Sequence, residues 1–507
     1  MSRLKMTVKN IFFGYMASIV TMLFAFVSRT VFIRLLGATY LGVNGLFTNV
    51  LGVLSFAELG IGTAMNFSLY KPAAENDREK IKSLMSLYKT AYRAIAAVVA
   101  VIGLALVPFL KYIVKDPGNI GNISVYYLIF LFNTVITYFV SYKFSLVNAE
   151  QKNYIFSVIN TITGIVTNLA QIIVLLLFKS FLAYLLIASF IGMAQKIFIS
   201  VYLNKMYPYL SDKNISKLSR EDLNPIIKNI KALVLHKIGE ISVYQTDNII
   251  ISAFVNVTTV GLISNYNLIL NSVNSFITTA FNAATASLGN LIATEKQNHQ
   301  YEVFKVYRFC GFWVFGFVTI AIYTLSTPFI TLWIGDKMTV ANFVVFLIVL
   351  DYYFKGHRIC INNIKTAGGV FYQDRYVSLI QAVVNLVVSI VMVKLIGLPG
   401  VYVGTVLQGV RSNIVKPYIT YKSLFNVSPK HYYTDGVKYA AAVGAAWLLC
   451  NLARSLLLAD GIGILSFAAL TALTAIIPNL LFAALFFRRE EFLYIKKIIM
   501  KRVKKNG

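Results

Sequence analysis

Apolar runs near 20 residues long recur from residue 10 to residue 487, separated by short polar breaks. An α-helix rises ~1.5 Å per residue, so such a run crosses the ~30 Å hydrocarbon core of a bilayer. The pattern predicts 14 spans: 10–36, 42–69, 90–113, 122–146, 154–178, 180–204, 227–254, 257–284, 306–333, 340–365, 376–396, 399–424, 436–458 and 462–487. Barrel strands would alternate over about 10 residues, and no stretch does so. The predicted fold class is all-α, a polytopic membrane protein with about 14 transmembrane helices. Loops at one face are very short, whereas 71–89 and 205–225 at the other are long. The second carries Pro208 and Pro225 and separates six spans from eight. It reads as a linker between an N-terminal lobe (1–204) and a C-terminal lobe (226–425), followed by an accessory helix pair and basic tail (426–507). Within the linker, SREDL reads either as the start of a short surface helix capped by Ser219 or as an ordinary solvated loop.

Two spans are too polar to face lipid. The stretch 227–254 sets His236, Glu240 and Asp247 near one helix face. The next repeats Asn267, Asn271, Asn274, Thr278, Asn282 and Thr285 at steps of three or four. An unsatisfied polar group in hydrocarbon costs of order 2–7 kcal/mol, so such a row must meet protein or water. It is expected to wall a water-accessible chamber within a helical bundle. Further rows are Gln381, Asn385 and Ser389, and Asn160, Thr167 and Gln171. These suit either a sugar-lined path or interhelical hydrogen bonds worth about 0.6 kcal/mol each.

Composition agrees with the membrane reading. The chain is 58% hydrophobic and 13% charged, with mean hydropathy +0.69, against about 25% charged residues in soluble proteins. The basic N-terminus MSRLKMTVKN leads into a run longer than the ~7–15 apolar residues of a signal peptide, so it is expected to remain as the first span. The net charge of +27 does not mark nucleic-acid binding, because most Lys and Arg fall at one membrane face. This positive-inside bias puts both termini in the cytoplasm, with attraction to anionic membrane lipids as a secondary consequence. Cys310, Cys360 and Cys450 lie in apolar runs without metal or disulfide spacing and read as small buried residues.

A weak repeat supports two lobes. GATYLGVNG (37–45) and NVTTVGLIS (256–264) share Thr-x-[Leu/Val]-Gly, each at a tight turn between an outgoing and a returning helix. Six spans before the linker make the halves a parallel pseudo-twofold repeat. FVSRTVFIRLLGATYLGVNGLFTNVLGVLSFAELGIGTA (26–64) and TDNIIISAFVNVTTVGLISNYNLI (246–269) resemble the first helix pairs of the two halves of polysaccharide exporters. These are the O-antigen-type lipid-linked oligosaccharide flippases of the multidrug/oligosaccharidyl-lipid/polysaccharide (MOP) superfamily. Lipid II flippases and drug/cation antiporters are similar relatives. The resemblance implies two six-helix lobes plus a C-terminal pair, and movement of undecaprenyl-diphosphate-linked oligosaccharide between leaflets. The nearly all-apolar last pair fits a pair packed outside the lobes.

Charges inside spans are rare and normally face a cavity or a partner. Lys237, Lys355, Arg358 and Arg411 lie toward the cytoplasmic side and Arg29 toward the outer side. A diphosphate calls for cations, and arginine forks match phosphate oxygens. Asp351, Lys355, Arg358, Asn362 and Lys365 share one helix face; Lys355 is expected at a cavity, Lys365 at the interface by snorkelling, and Arg358 at either. Arg29 either contacts substrate, as the resemblance implies by position, or pairs with Glu58 or Asp247. Arg34 reads as an interface residue, and Arg411 as either a chamber residue or a snorkelling one. Glu58, Asp247, Glu240 and Asp351 are candidates for coupling to H⁺ or Na⁺. Glu240 beside Lys237 and Asp351 beside Lys355 equally suit local ion pairs, which leaves Glu58 and Asp247 as the better coupling groups. Gly42, Gly45, Gly52, Gly60 and Gly62 make the second span bendable, while Gly400 and Gly404 form GxxxG; hinges or close packing explain such glycines.

The leading functional expectation is a lipid-linked oligosaccharide flippase working by alternating access in a bacterial cytoplasmic membrane, a monomer or an associate of polysaccharide assembly proteins, with no cofactor. A drug/cation antiporter would favour acidic and aromatic cavity residues over cations. A membrane glycosyltransferase or polysaccharide polymerase would need acidic motifs on a sizeable extramembrane loop. Neither a long outer loop nor DxD, GxGxxG or P-loop motifs occur, so the chain is not expected to be an enzyme.

Overall fold

The computed structural model describes every residue except 1, 2, 59, 60, 151, 213, 214, 217, 229, 231–233, 235–244, 371, 372, 374 and 507. At 3–18, 57, 63, 286, 375, 499 and 501–506 it describes the backbone alone. The described residues are mainly helical, joined by short turns, with no strand among them. They form α1 (Arg3–Leu36), α2 (Ala38–Leu54), α3 (Ile61–Glu75), α4 (Arg78–Leu106), α5 (Ile123–Ala149), α6 (Tyr154–Phe178), α7 (Phe181–Met206), α8 (Asp247–Phe254) and α9 (Val257–Thr294). Then follow α10 (Gln297–Ile334), α11 (Asn342–Ala367), α12 (Arg375–Ile396), α13 (Leu398–Thr420), α14 (Lys430–Leu457), α15 (Ile464–Phe486) and α16 (Glu490–Asn506).

Each expected span meets a helix, except that 227–254 lies largely outside the described residues. Among the described residues, nine helices are long and apolar enough to cross a membrane. Helices α9, α11 and α13 have the length but fall outside that set. Helix α9 carries the asparagine row, and α11 and α13 carry Asp351, Lys355, Arg358, Lys365 and Arg411. The second span is broken: α2 ends at Leu54, a 3₁₀ turn runs Ser55–Glu58, and α3 resumes at Ile61. The break falls in the glycine-bearing stretch that suggested flexibility. Helix α9 continues ten residues past its expected end, and Gln300 of α10 donates to the carbonyls of Ile292 and Glu295 at its C-terminus, satisfying acceptors a helix end leaves open. In the linker, Ser219 Oγ accepts from the backbone N–H of Asp222 (3.2 Å) and caps a helix beginning at residue 220, the first of the two readings of SREDL.

The chain forms two compact units, Met1–Ser264 and Asn265–Gly507. In the first, α8 and the start of α9 dock on α2. Asn49 is the pin: its Nδ2 donates to Gln245 Oε1 (2.6 Å), and its Oδ1 accepts from Asn248 Nδ2 (2.8 Å). The two TxxG turns of the repeat pack against each other there, with Thr39 Oγ1 and Thr258 Oγ1 2.9 Å apart.

In the second unit the C-terminal pair α14–α15 packs on α10. Phe309, Phe312, Tyr439, Phe482 and Phe486 form its buried aromatic core, and Phe312 stacks on Tyr439 with centroids 4.1 Å apart. Gly316 makes the approach possible, because an added Cβ would meet Val443 Cγ2 at 2.8 Å. Arg308 is buried at the base of this contact. Its guanidinium lies 3.5 Å over the Tyr432 ring and donates to the Tyr432 carbonyl at 2.6 Å. Nothing in the apolar periodicity singled it out; a cation within a run of aromatics was the available signal. Cys360 and Cys450 are buried and all three cysteines are free, as small packing residues should be.

Candidate functional site

Among the described residues, the first unit holds three of the expected site residues, Arg29, Glu58 and Asp247. Arg29, part-buried on α1, donates from Nη1 to Ser264 Oγ at 2.8 Å. Phe32, one turn on, is wedged edge-on against Phe181 and Tyr184 of α7, which fixes this end of α1. Glu58 sits in the 3₁₀ turn after α2 and accepts a 2.8 Å hydrogen bond from the Tyr92 hydroxyl of α4. Tyr138 of α5 lies beyond, its ring 6.1 Å from that of Tyr92. Gly62 is needed beside this group, since an added Cβ would lie 2.7 Å from Glu58 Oε1. Asp247 is the first residue of α8, where the helix dipole favours a carboxylate. Arg34 is exposed in the last turn of α1. His236, Lys237 and Glu240 lie outside the described residues.

In the second unit the polar rows part company. Asn267, Asn271 and Asn274 on α9 are part-exposed or exposed and make no side-chain hydrogen bond among the described residues; Asn282, further on, is exposed. Thr278 turns its hydroxyl back onto the Asn274 carbonyl at 2.8 Å. The row on α12 is dry. Gln381 donates to Gln408 Oε1 (3.0 Å), Asn385 to Thr405 Oγ1 (3.0 Å) and Ser389 to the Val401 carbonyl (2.8 Å), and all three are buried. Gly400 and Gly404 let α13 approach this closely, because a Cβ on Gly404 would overlap Ser389 Oγ. Of the two readings for that row, interhelical hydrogen bonding is the one realised. In the first unit, Asn160 likewise accepts from Gln195 (2.8 Å) and Gln171 donates to the Tyr184 carbonyl (3.4 Å).

Asp351 and Lys355 form an ion pair of 2.6 Å along α11, with the carboxylate largely buried and the ammonium side chain 29% exposed. The carboxylate is thus neutralised locally, the alternative to ion coupling raised by the spacing. Arg358 is buried rather than lining an open surface. Lys365 differs from the snorkelling expectation, being only 7% exposed. The end of α11 is covered by neighbouring chain, as at Gly368, where Leu424 lies against the backbone, so this stretch is packed and not an exposed helix end. Asn362, on the same face, accepts from Lys416 Nζ of α13 at 3.4 Å. Arg411 of α13 is part-buried, and its Nη1 has no hydrogen-bond partner among the described residues. No group of His, Cys, Asp and Glu suited to a metal occurs among the described residues.

No protein-family model matches the chain, and no curated protein matches it. Solved structures do. The lipid II flippase MurJ in an inward closed conformation aligns with TM-score 0.63 over 93% of this chain and 98% of its own, at 11% identity. An inward-facing multidrug resistance MATE transporter of the MOP superfamily aligns at 0.59 over 78% and 92%, at 13% identity. A variant of the Vibrio cholerae MATE transporter VcmN aligns at 0.54 over 82% and 97%, also at 13% identity. With nearly the full length of a flippase and of two MATE transporters matched, the chain has the fold of these membrane transporters, and its long apolar helices make it a multi-pass membrane protein.

Proposed function

We propose that this protein is a flippase that moves undecaprenyl-diphosphate-linked oligosaccharide repeat units from the inner to the outer leaflet of a bacterial cytoplasmic membrane by alternating access, for cell-surface polysaccharide synthesis. The observation that carries the reading is the open asparagine row of α9. Asn267, Asn271 and Asn274 keep their amides free of protein partners among the described residues inside a predicted span. Free amides at that depth suit sugar hydroxyls, since each would otherwise carry a desolvation cost of order 2–7 kcal/mol. Arg29, Lys355 and Arg411 are the cations proposed to meet the diphosphate, with Arg358, which is buried, and Lys237 as further candidates. Glu58 and Asp247 are the groups proposed to bind H⁺ or Na⁺; Asp351, held by Lys355, and Glu240 are secondary. The fold shared with a lipid II flippase supports a lipid-linked cargo. Membrane lipids and polysaccharide assembly proteins are the proposed partners of a monomer with cytoplasmic termini, and no residue is assigned a catalytic role.

A drug/cation antiporter is the second reading. Glu58 under Tyr92 and Tyr138 favours it, because an acid among aromatic rings suits an organic cation. Purified full-length protein in proteoliposomes distinguishes the two. Under the flippase reading, a fluorescent undecaprenyl-diphosphate oligosaccharide becomes accessible to an external glycosidase faster than in empty liposomes, and ethidium efflux under a H⁺ or Na⁺ gradient stays at background. The reverse result assigns the antiporter.

A further inference from the structure

The ends of α4, α5 and α7, with Tyr207, Leu210, Ser211, Asp212 and Ile215, enclose a cavity of about 610 Å³ in the first unit. That is within the ~300–1,000 Å³ range of ligand pockets. It lies at the Lys/Arg-rich end of these helices, and Arg29 does not line it. Lys82, Lys89, Arg93 and Lys143 line it against one carboxylate, Asp212. Lys82 is buried and already neutralised by Glu79 (2.7 Å) and Asp212 (3.2 Å). The other three have no ion pair among the described residues. Lys143 Nζ donates only to uncharged oxygens, Ser200 Oγ at 2.9 Å, Asn204 Oδ1 at 2.8 Å and the Ser200 carbonyl at 3.5 Å. Lys89 and Arg93, one turn apart on α4, are exposed, and Lys89 lies near enough to Lys143 for the charges to repel. Three unneutralised cations in one hollow form a site that an anion stabilises.

A second observation indicates the source of the anion. Val125, Leu128, Phe132 and Phe139 of α5 are exposed at steps of three, four and seven, so they form one apolar stripe. Phe139 also lines the cavity, and Lys143 follows it by one turn on the same face. The stripe covers about 21 Å at 1.5 Å per residue, longer than the ~15 Å depth of one leaflet. We infer that this cavity binds the phosphate of an anionic phospholipid, with the headgroup among Lys89, Arg93 and Lys143 and an acyl chain along the α5 stripe. This site does not rest on the flippase reading, and basic pockets between helices at the cytoplasmic side are a known form of lipid recognition.

Native mass spectrometry of the detergent-purified full chain tests it, with dioleoyl-phosphatidylglycerol, dioleoyl-phosphatidylcholine and glycerol 1-phosphate as probes. The expected result is phosphatidylglycerol retained at least tenfold better than phosphatidylcholine, with about a tenfold loss per cation removed in Lys89→Gln/Arg93→Gln. Lys111→Gln, an exposed lysine remote from the cavity, retains the preference. Glycerol 1-phosphate competing as well as the lipid at equal concentration would replace the lipid by a soluble phosphate as the ligand. Equal retention of the two lipids, or an unaltered preference in the double variant, overturns the site. If the double variant does not fold, Lys89→Gln alone gives the same comparison with a smaller expected loss.

Discussion

Gly42 and Gly261 face each other where α2 crosses α9, and each occupies the place where the other helix's backbone leaves no room for a side chain. A Cβ on Gly42 would overlap the Val257 carbonyl and lie 3.1 Å from the Gly261 nitrogen. A Cβ on Gly261 would overlap the Ala38 carbonyl and lie 3.0 Å from the Gly42 nitrogen. The reciprocity follows the repeat: Thr39 and Thr258, three residues before each glycine, share a 2.9 Å hydrogen bond. Two weakly similar turns thus become one self-complementary crossing.

Gly42→Ala or Gly261→Ala should therefore lower the melting temperature of the purified protein, by the ~1–3 kcal/mol typical of overpacking. Gly45→Ala is the internal control. Its nearest neighbour, Val260 Cγ1, lies 3.5 Å away, an ordinary contact. The exposed-helix preference for Ala over Gly, about 1 kcal/mol, should leave that variant neutral or stabilised. Equal losses at all three positions would remove the steric argument.

Arg29→Gln should abolish glycan export while membrane levels stay unchanged, because its part-buried fork is engaged by a serine hydroxyl that a phosphate oxygen can replace. Quantitative immunoblotting beside a surface-glycan assay checks both halves of the statement. Full export in this variant would count against a cationic substrate path.

Lys355→Met leaves Asp351 largely buried without its 2.6 Å partner. Breaking a fully buried pair costs about 3–5 kcal/mol, and the partial exposure of Lys355 reduces that through solvent screening. The melting temperature should fall, and Asp351→Leu added to Lys355→Met should restore it. Under the proposed role of Lys355, the double variant remains inactive in export although it is stable. Recovery of export with stability would make the pair purely structural.

Cysteines placed at Asn267, Asn271 and Asn274 should react with a membrane-impermeant maleimide in open membrane preparations, after Cys310, Cys360 and Cys450 are replaced. A cysteine at Asn385 should stay protected, since that side chain is fully buried against Thr405. Protection at all three α9 positions would mean that the row packs dry.

Asn385→Ala strands Thr405 Oγ1 without its donor and should cost about 1–3 kcal/mol of stability. Export per folded molecule should not change, because the row on α12 faces α13. A lowered rate at normal stability would restore this row to the substrate path.

The placement of the long apolar helices was legible in the chain because hydrocarbon imposes one rule on every crossing segment: about 20 apolar residues, with backbone groups bonded internally. Tyr154–Phe178 coincides with its expected span for that reason. The Asp351–Lys355 pair was also readable, since i and i+4 on a helix are neighbours whatever surrounds them. The rows Asn267–Asn271–Asn274 and Gln381–Asn385–Ser389 were not separable by pattern. Both recur every three or four residues, and periodicity reports only that a face avoids lipid. Whether that face meets open space or the donors of another helix depends on how close the neighbour comes. For α12 this is set by Gly400 and Gly404 on α13, far along the chain. The same holds for Lys365, buried where an interface position was expected, and for Arg308, caged by Tyr432 from more than a hundred residues away. The chain by itself determined what must leave lipid; the tertiary structure alone decided what each departing group meets, because partners that share no local sequence are brought together only by helix packing.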